Sequence, residues 1–138
     1  MQQESVNRPS YTFTKKERIC SKTLFEEIIR NRQSFSIYPL KCYFLINRQH
    51  TSLLPNQIAI SVPKRKIHSA VHRNKIKRLI REAYRLNKNI LSEGEVESSI
   101  QYQMIIVFIG KSIPSFKTIN DKIITILKRL SQMATTIS

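Results

Sequence analysis

QIAISVPKRKIHSAVHRNKIKRLIREAYRLNKNI, residues 57 to 90, is the stretch on which the fold turns. Its first six residues alternate. Ile58, Ile60 and Val62 point one way and the small Ala59 and Ser61 the other, the pattern of a half-buried strand. Pro63 has no N–H to give to a ladder and ends it. After Lys64, Arg65 and Lys66, the period changes to that of a helix from about Ser69 to Asn89. At about 100° per residue, Ile76, Leu79, Ile80, Ala83, Tyr84, Leu86 and Ile90 gather on one arc. Arg73, Lys77, Arg81, Arg85 and Lys88 form a stripe on the other, flanked by Asn74 and Arg78. A strand that runs into a long amphipathic helix points to a sheet with helices packed against it.

Working outward supplies the rest. Residues 91–101 (LSEGEVESSIQ) read as a polar, acid-bearing loop with Gly94 as breaker. Tyr102 to Ile109 is apolar on both faces, as a central strand is, and a last helix is predicted from about Lys117 to Met133. Upstream, Ile37 to Asn47 reads as a strand with Pro39 at its start or on a sheet edge. Leu40, Cys42, Phe44 and Ile46 share one face of it; Lys41, Tyr43 and Leu45 share the other. A further short strand fits near Ser34–Ile37, and residues 48–56 connect. Before these comes a short helix capped by Ser21 or Thr23, the latter with Glu26 in capping-box spacing and an apolar stripe of Leu24, Phe25, Ile28 and Ile29. The predicted fold is an α/β (α+β) two-layer sandwich in the order α-β-β-α-β-α, with a small mixed sheet packed with helices. Residues 1–13 read as a polar tail, 14–133 as a single domain and 134–138 as a C-terminal tail.

Composition narrows the function. The 138 residues, 16.2 kDa, carry 24 Lys and Arg against 9 Asp and Glu, for a net charge of +15 and a pI near 10.3. Such self-repulsion in a single domain points to a polyanionic partner. Residues 64–88 hold ten of the cations and one acid, Glu82, so 25 residues carry more than half of the excess. Basic residues at successive helical turns repel one another, and phosphates would neutralise them. The basic helix follows a strand rather than a packed helix and short turn, which disfavours helix-turn-helix DNA recognition and favours RNA read by shape and backbone.

Other classes fall away. One Asp and scattered Glu do not build a carboxylate metal-nuclease site. The longest apolar run, Met104 to Ile109, is far short of the ~20 residues of a membrane helix. The polar N-terminus lacks the pattern of a signal or transit peptide. Cys20 and Cys42 read as free thiols of a cytoplasmic protein, although spacing alone leaves one disulfide open. His68 and His72 have the i, i+4 spacing of metal ligands but no third ligand and many cations around them. Glu26 and Glu27 read as solvent charges, and Glu93, Glu95 and Glu97 as a solubilising loop.

The string AVHRNKIKRLIREAYR, Ala70 to Arg85, resembles the RNR signature of the protein subunit of bacterial ribonuclease P; it follows SVPKRK, similar to that family's strand ending. The resemblance spans about residues 14 to 132. It implies an α/β sandwich with a left-handed βαβ crossover, of the type also found in a ribosomal-protein domain, contrary to the usual hand. It further implies a subunit that binds the catalytic RNA of ribonuclease P and the 5′ leader of precursor tRNA, promoting endonucleolytic removal of that leader. Hydrolysis would be performed by the RNA with Mg²⁺, held mainly by RNA, with no catalytic side chain on this chain and no obligate protein partner; whether the chain helps to bind a metal is left open by the sequence.

By position, Lys64, Arg65, Lys66, Arg73, Asn74, Lys75, Lys77, Arg78 and Arg81 would contact the catalytic RNA. Phe25, Ile29, Lys41 and Tyr43 would hold the leader, core packing being an equal alternative for Phe25. Tyr43 beside Lys41 on an open sheet face is a stacking platform for unpaired bases. Three departures stand out: Lys75 where the signature has Arg, a segment 65–69 one residue longer and without its Gly, and Ile29 at an often aromatic position. The competing reading is a structural RNA-binding protein, such as a ribosomal component, with no role in cleavage.

Overall fold

A computed structural model describes residues 13–48, 55–92 and 100–137. The order is α1 (Lys22–Arg30), β1 (Ser34–Ile37), β2 (Leu40–Arg48), β3 (Gln57–Ser61), α2 (Ala70–Asn87), β4 (Ile100–Phe108) and α3 (Phe116–Ile137). The strands form one mixed sheet in the order β1-β2-β4-β3. β1 and β2 are an antiparallel hairpin, β2 and β4 are antiparallel, and β3 and β4 are parallel. Helix α2 joins this parallel pair, completing the β-α-β unit that residues 57–90 begin.

The alternation of β2 sorts the molecule into two sides. Leu40, Cys42 and Phe44, with Met104, Ile106 and Phe108 of β4, enter the main core against Ile76, Ile80, Ala83 and Tyr84 of α2 and Ile119, Ile123, Ile126, Leu127 and Leu130 of α3. On the opposite face lies α1. Its Ile28 and the central Ile105 are fully buried yet stand outside that core, and α1 contacts β2 and β4. This face carries the cross-strand rows Ser34–Tyr43–Ile105–Ala59, Ser36–Lys41–Val107–Ser61 and Leu45–Gln103–Gln57.

Several boundaries depart from the sequence reading. Pro39 sits in the two-residue turn with Tyr38, so the strand predicted from Ile37 is divided into a hairpin. Ser21, not Thr23, caps α1, its hydroxyl accepting from Leu24 N at 3.2 Å. Leu86 of the predicted apolar arc is exposed on α2, while Ala134 is buried on α3, which continues to Ile137 where a tail was expected. The start of β4 was hidden by its glutamines. Gln101, read as loop, is buried and donates from Nε2 to Pro55 O at 2.8 Å, while Asn47 donates to the neighbouring Gln103 Oε1 at 2.6 Å, so amide hydrogen bonds satisfy what reads as loop polarity. The acidic segment Glu93, Glu95 and Glu97 lies outside the described residues.

Phe13, assigned to the tail, packs on the core, its ring edge against Tyr84 at a centroid distance of 5.9 Å. From there a strap runs along the outer edge of β3. Arg18 bridges Ile58 in parallel, and Ile19 N donates to Ile58 O at 3.1 Å. Thr14 N donates to Glu17 Oε1 at 2.7 Å, and Glu17 Oε2 receives Lys88 Nζ at 2.7 Å. Only 10% and 11% of the two side chains of that ion pair are exposed, so this is a buried tie between the strap and the far end of α2.

Candidate nucleic-acid interface

Helix α2 starts where Ser69 caps it, the hydroxyl accepting from His72 N at 3.3 Å. The chain before it is folded onto itself, Lys66 N and Ile67 N both donating to Pro63 O. Arg73 finishes that turn. Its guanidinium donates to the carbonyls of Ile67 at 3.0 Å and His68 at 2.8 Å. These bonds brace the turn on which Lys64, Arg65 and Lys66 stand exposed at the same end of the helix.

The basic stripe read from the helical wheel is not uniform. Arg85 is engaged by Glu82, donating from Nε at 3.2 Å, and this hydrogen bond holds the Glu82 carboxyl below its ordinary range. Lys88 is engaged by Glu17. What remains toward solvent is Asn74, Lys75, Arg78 and Arg81, with Lys77 half-buried, and none of the four cations has an ion-pair partner among the described residues. The free arc is therefore the first three turns of α2 and the turn before them.

Lys77 and Arg81 also face a groove. With Phe13, Arg18, Phe25 and Ala59 they line a cleft of about 330 Å³ between α1, the β3 edge and α2. Arg18 stands over the Phe13 ring at 5.7 Å. Phe25 thus has a place beside two unpaired cations. Phe13 and Arg18 were not found from sequence, because one apolar residue in a polar segment carries no periodicity. The Thr14–Glu17 spacing, a capping-box pattern, was the available signal.

On the open sheet face, Lys41 Nζ lies 4.9 Å from the Tyr43 ring centroid, a cation–π pair that keeps the ring beside a positive charge. Tyr43 and Ala59 share a row with Ile105 between them, so the Tyr43 platform and the Phe25 groove flank α1 two strand spacings apart, about 10 Å. Ile29, one turn after Phe25, is 36% exposed.

Among the described residues no three His, Cys, Asp or Glu side chains converge. His68 lies ahead of the Ser69 cap, so the two histidines do not share a helix face. Cys20 is exposed and Cys42 buried, both free, and burial pushes the Cys42 thiol far above its ordinary value. No helix among the described residues is long and apolar enough to cross a membrane.

The family model for ribonuclease P matches residues 13–131, nearly all that the structure describes. The chain belongs to the ribonuclease P protein family. It is 30% identical over 111 residues to the ribonuclease P protein component of Porphyromonas gingivalis, covering 80% of each chain. It is 33% identical over 108 residues to that of Clostridioides difficile, covering 76% of this chain and 83% of the relative. Its fold is that of the RNase P protein of Staphylococcus aureus, with a TM-score of 0.64 at 23% identity over 84% of this chain and 96% of the other. The Thermotoga maritima protein superposes with a TM-score of 0.63 at 22% identity, over 82% and 96%. The general role of the ribonuclease P family is maturation of tRNA 5′ ends, and this chain is its protein component.

Proposed function

We propose that the exposed arc of α2 and the Lys64–Lys66 turn dock the catalytic RNA of ribonuclease P, while the sheet side of the molecule holds the single-stranded leader of precursor tRNA. The observation that carries this is an arc of cations left unpaired next to two aromatic surfaces on either side of α1. Arg forks suit phosphate oxygens, and Asn74 adds a neutral donor and acceptor. Tyr43, steadied by Lys41, and Phe25, beside Lys77 and Arg81, offer faces on which unpaired bases stack.

In this reading hydrolysis belongs to the RNA subunit, with Mg²⁺ held there. The protein's task is binding. Its cations lower the repulsion between catalytic RNA and substrate, so less Mg²⁺ is needed to hold them together. The test is 5′ maturation of a precursor tRNA by a bacterial catalytic RNA at low Mg²⁺, with and without the purified chain. Faster maturation with the protein supports this reading; no enhancement overturns it in favour of a purely structural RNA-binding role.

A further inference from the structure

The sheet's topology gathers three chain segments at one edge. β2 begins at Leu40 opposite Phe108, and β3 ends at Ser61 opposite Val107. The Tyr38–Pro39 turn, residues 109–113 and residues 62–69 therefore emerge together, the first two joined by Ile109 N donating to Pro39 O at 2.8 Å. Two clefts open along this edge and share Lys111 and Ser112. One, of about 510 Å³, is also lined by Lys66, His68 and His72. The other, of about 300 Å³, is lined by Tyr38, Thr118 and Lys122.

No residue lining either cleft is acidic. Asp121, the acid beside Lys122 in sequence, is held by Lys117 at 3.1 Å. Neither Lys111 nor Lys122 has an ion-pair partner among the described residues. At the rim stands Tyr38, 64% exposed, the most exposed large aromatic among the described residues. Gly110 lets the floor close: a Cβ there would lie 2.7 Å from the Phe108 ring and 3.1 Å from Pro39. Cations without acids, an open ring face and a track continuous with the Lys64–Lys66 turn have the chemistry of an RNA strand, charged along its backbone and stackable at its bases.

We propose that this edge is a second docking surface for the catalytic RNA, Lys111 and Lys122 meeting phosphates and Tyr38 stacking on an unpaired base. It rests on the reading of the chain as the RNA-binding subunit, and it adds residues outside α2 to that contact. A protein that used α2 alone would grip one segment of RNA; with this edge it bridges two.

The test is equilibrium binding of the full chain to a bacterial ribonuclease P RNA, and separately to precursor tRNA, across a KCl series. For the catalytic RNA, Lys111→Ala/Lys122→Ala is expected to lower the magnitude of the salt slope by about 1.4 to 1.8, for two lost phosphate contacts. Lys111→Arg/Lys122→Arg retains the wild-type slope, which separates charge from misfolding. Tyr38→Ala weakens binding about fivefold or more at fixed salt, and Tyr38→Phe restores it. Unchanged slope and affinity in the Ala variants, beside a wild type that binds normally, overturn this surface alone. A loss confined to precursor tRNA overturns it too, by giving the edge to the substrate. A wild type that ignores the catalytic RNA overturns both this surface and the reading beneath it.

Discussion

Tyr43 and Tyr84 show how the same side chain is set to opposite uses by its neighbours. Tyr43 stands half-buried on an open sheet face with Lys41 over its ring. If a leader base stacks there, Tyr43→Ala weakens binding of leader-bearing precursor by about 1–3 kcal/mol and leaves mature tRNA unchanged. Equal loss for both RNAs in a filter-binding titration contradicts the leader role. Tyr84 is buried, and its hydroxyl has no hydrogen-bond partner among the described residues. Burial, and then the nearby Glu17 charge, push its ionisation well above the ordinary value. Removing an unsatisfied buried hydroxyl removes a desolvation cost, so Tyr84→Phe is expected to be neutral or stabilising by about 1 kcal/mol. A lower urea midpoint for this variant would show that the hydroxyl has a partner after all.

At the scale of elements, α2 was the most legible part of the chain and also the part most revised. Its approximate extent and its buried Ile76, Ile80, Ala83 and Tyr84 follow from periodicity alone. Which cations stay free does not, because Glu17 reaches Lys88 from 71 residues away and Arg73 turns back on carbonyls that precede the helix. Arg78→Ala and Arg81→Ala are each expected to reduce the salt slope of catalytic-RNA binding by about one. Arg73→Ala differs, lowering stability as well as affinity, since it frees the turn that presents Lys64–Lys66. The Glu17–Lys88 tie supplies a sharper contrast. Lys88→Met strands a buried carboxylate and is expected to cost about 3–5 kcal/mol of unfolding free energy, whereas Glu17→Leu/Lys88→Met recovers much of that loss. A double variant as unstable as the single one in urea titrations would show that the stranded carboxylate is not what costs stability.

For the whole molecule, the sheet and its two dissimilar faces were readable from β2, where Leu40, Cys42 and Phe44 alternate with Lys41 and Tyr43. The placement of α1 on the face opposite α2 and α3 was not, since a short stripe of Ile28 and its neighbours fits either side equally. Nor was the groove that joins Phe25 to Lys77 and Arg81, which forms only because the strap brings Phe13 and Arg18 across. The interior sets a further response, to alkali. Cys42 and Tyr84 are neutral in the folded protein with raised ionisation, against ordinary values of 9.0 and 10.0. The unfolded chain therefore sheds these protons first. Their contribution to stability is complete below pH 9.0 and diminishes as the pH climbs beyond it. Urea midpoints taken between about pH 8 and about 10 are expected to fall, and Cys42→Ala to fall less steeply over that interval. Equal decline in both proteins would assign the effect to other groups.

The strap along β3 has one more consequence, for the protein's behaviour in a crowd. A sheet edge with unpaired N–H and C=O groups is a template for any extended chain that meets it. At one end of this sheet the edge strand is only four residues long with Ser34 and Ser36 outward; at the other, Arg18 and Ile19 lie across Ile58. Peeling residues 13–19 away would uncover β3 as a pairing edge, so this strap shields the sheet from edge-to-edge association.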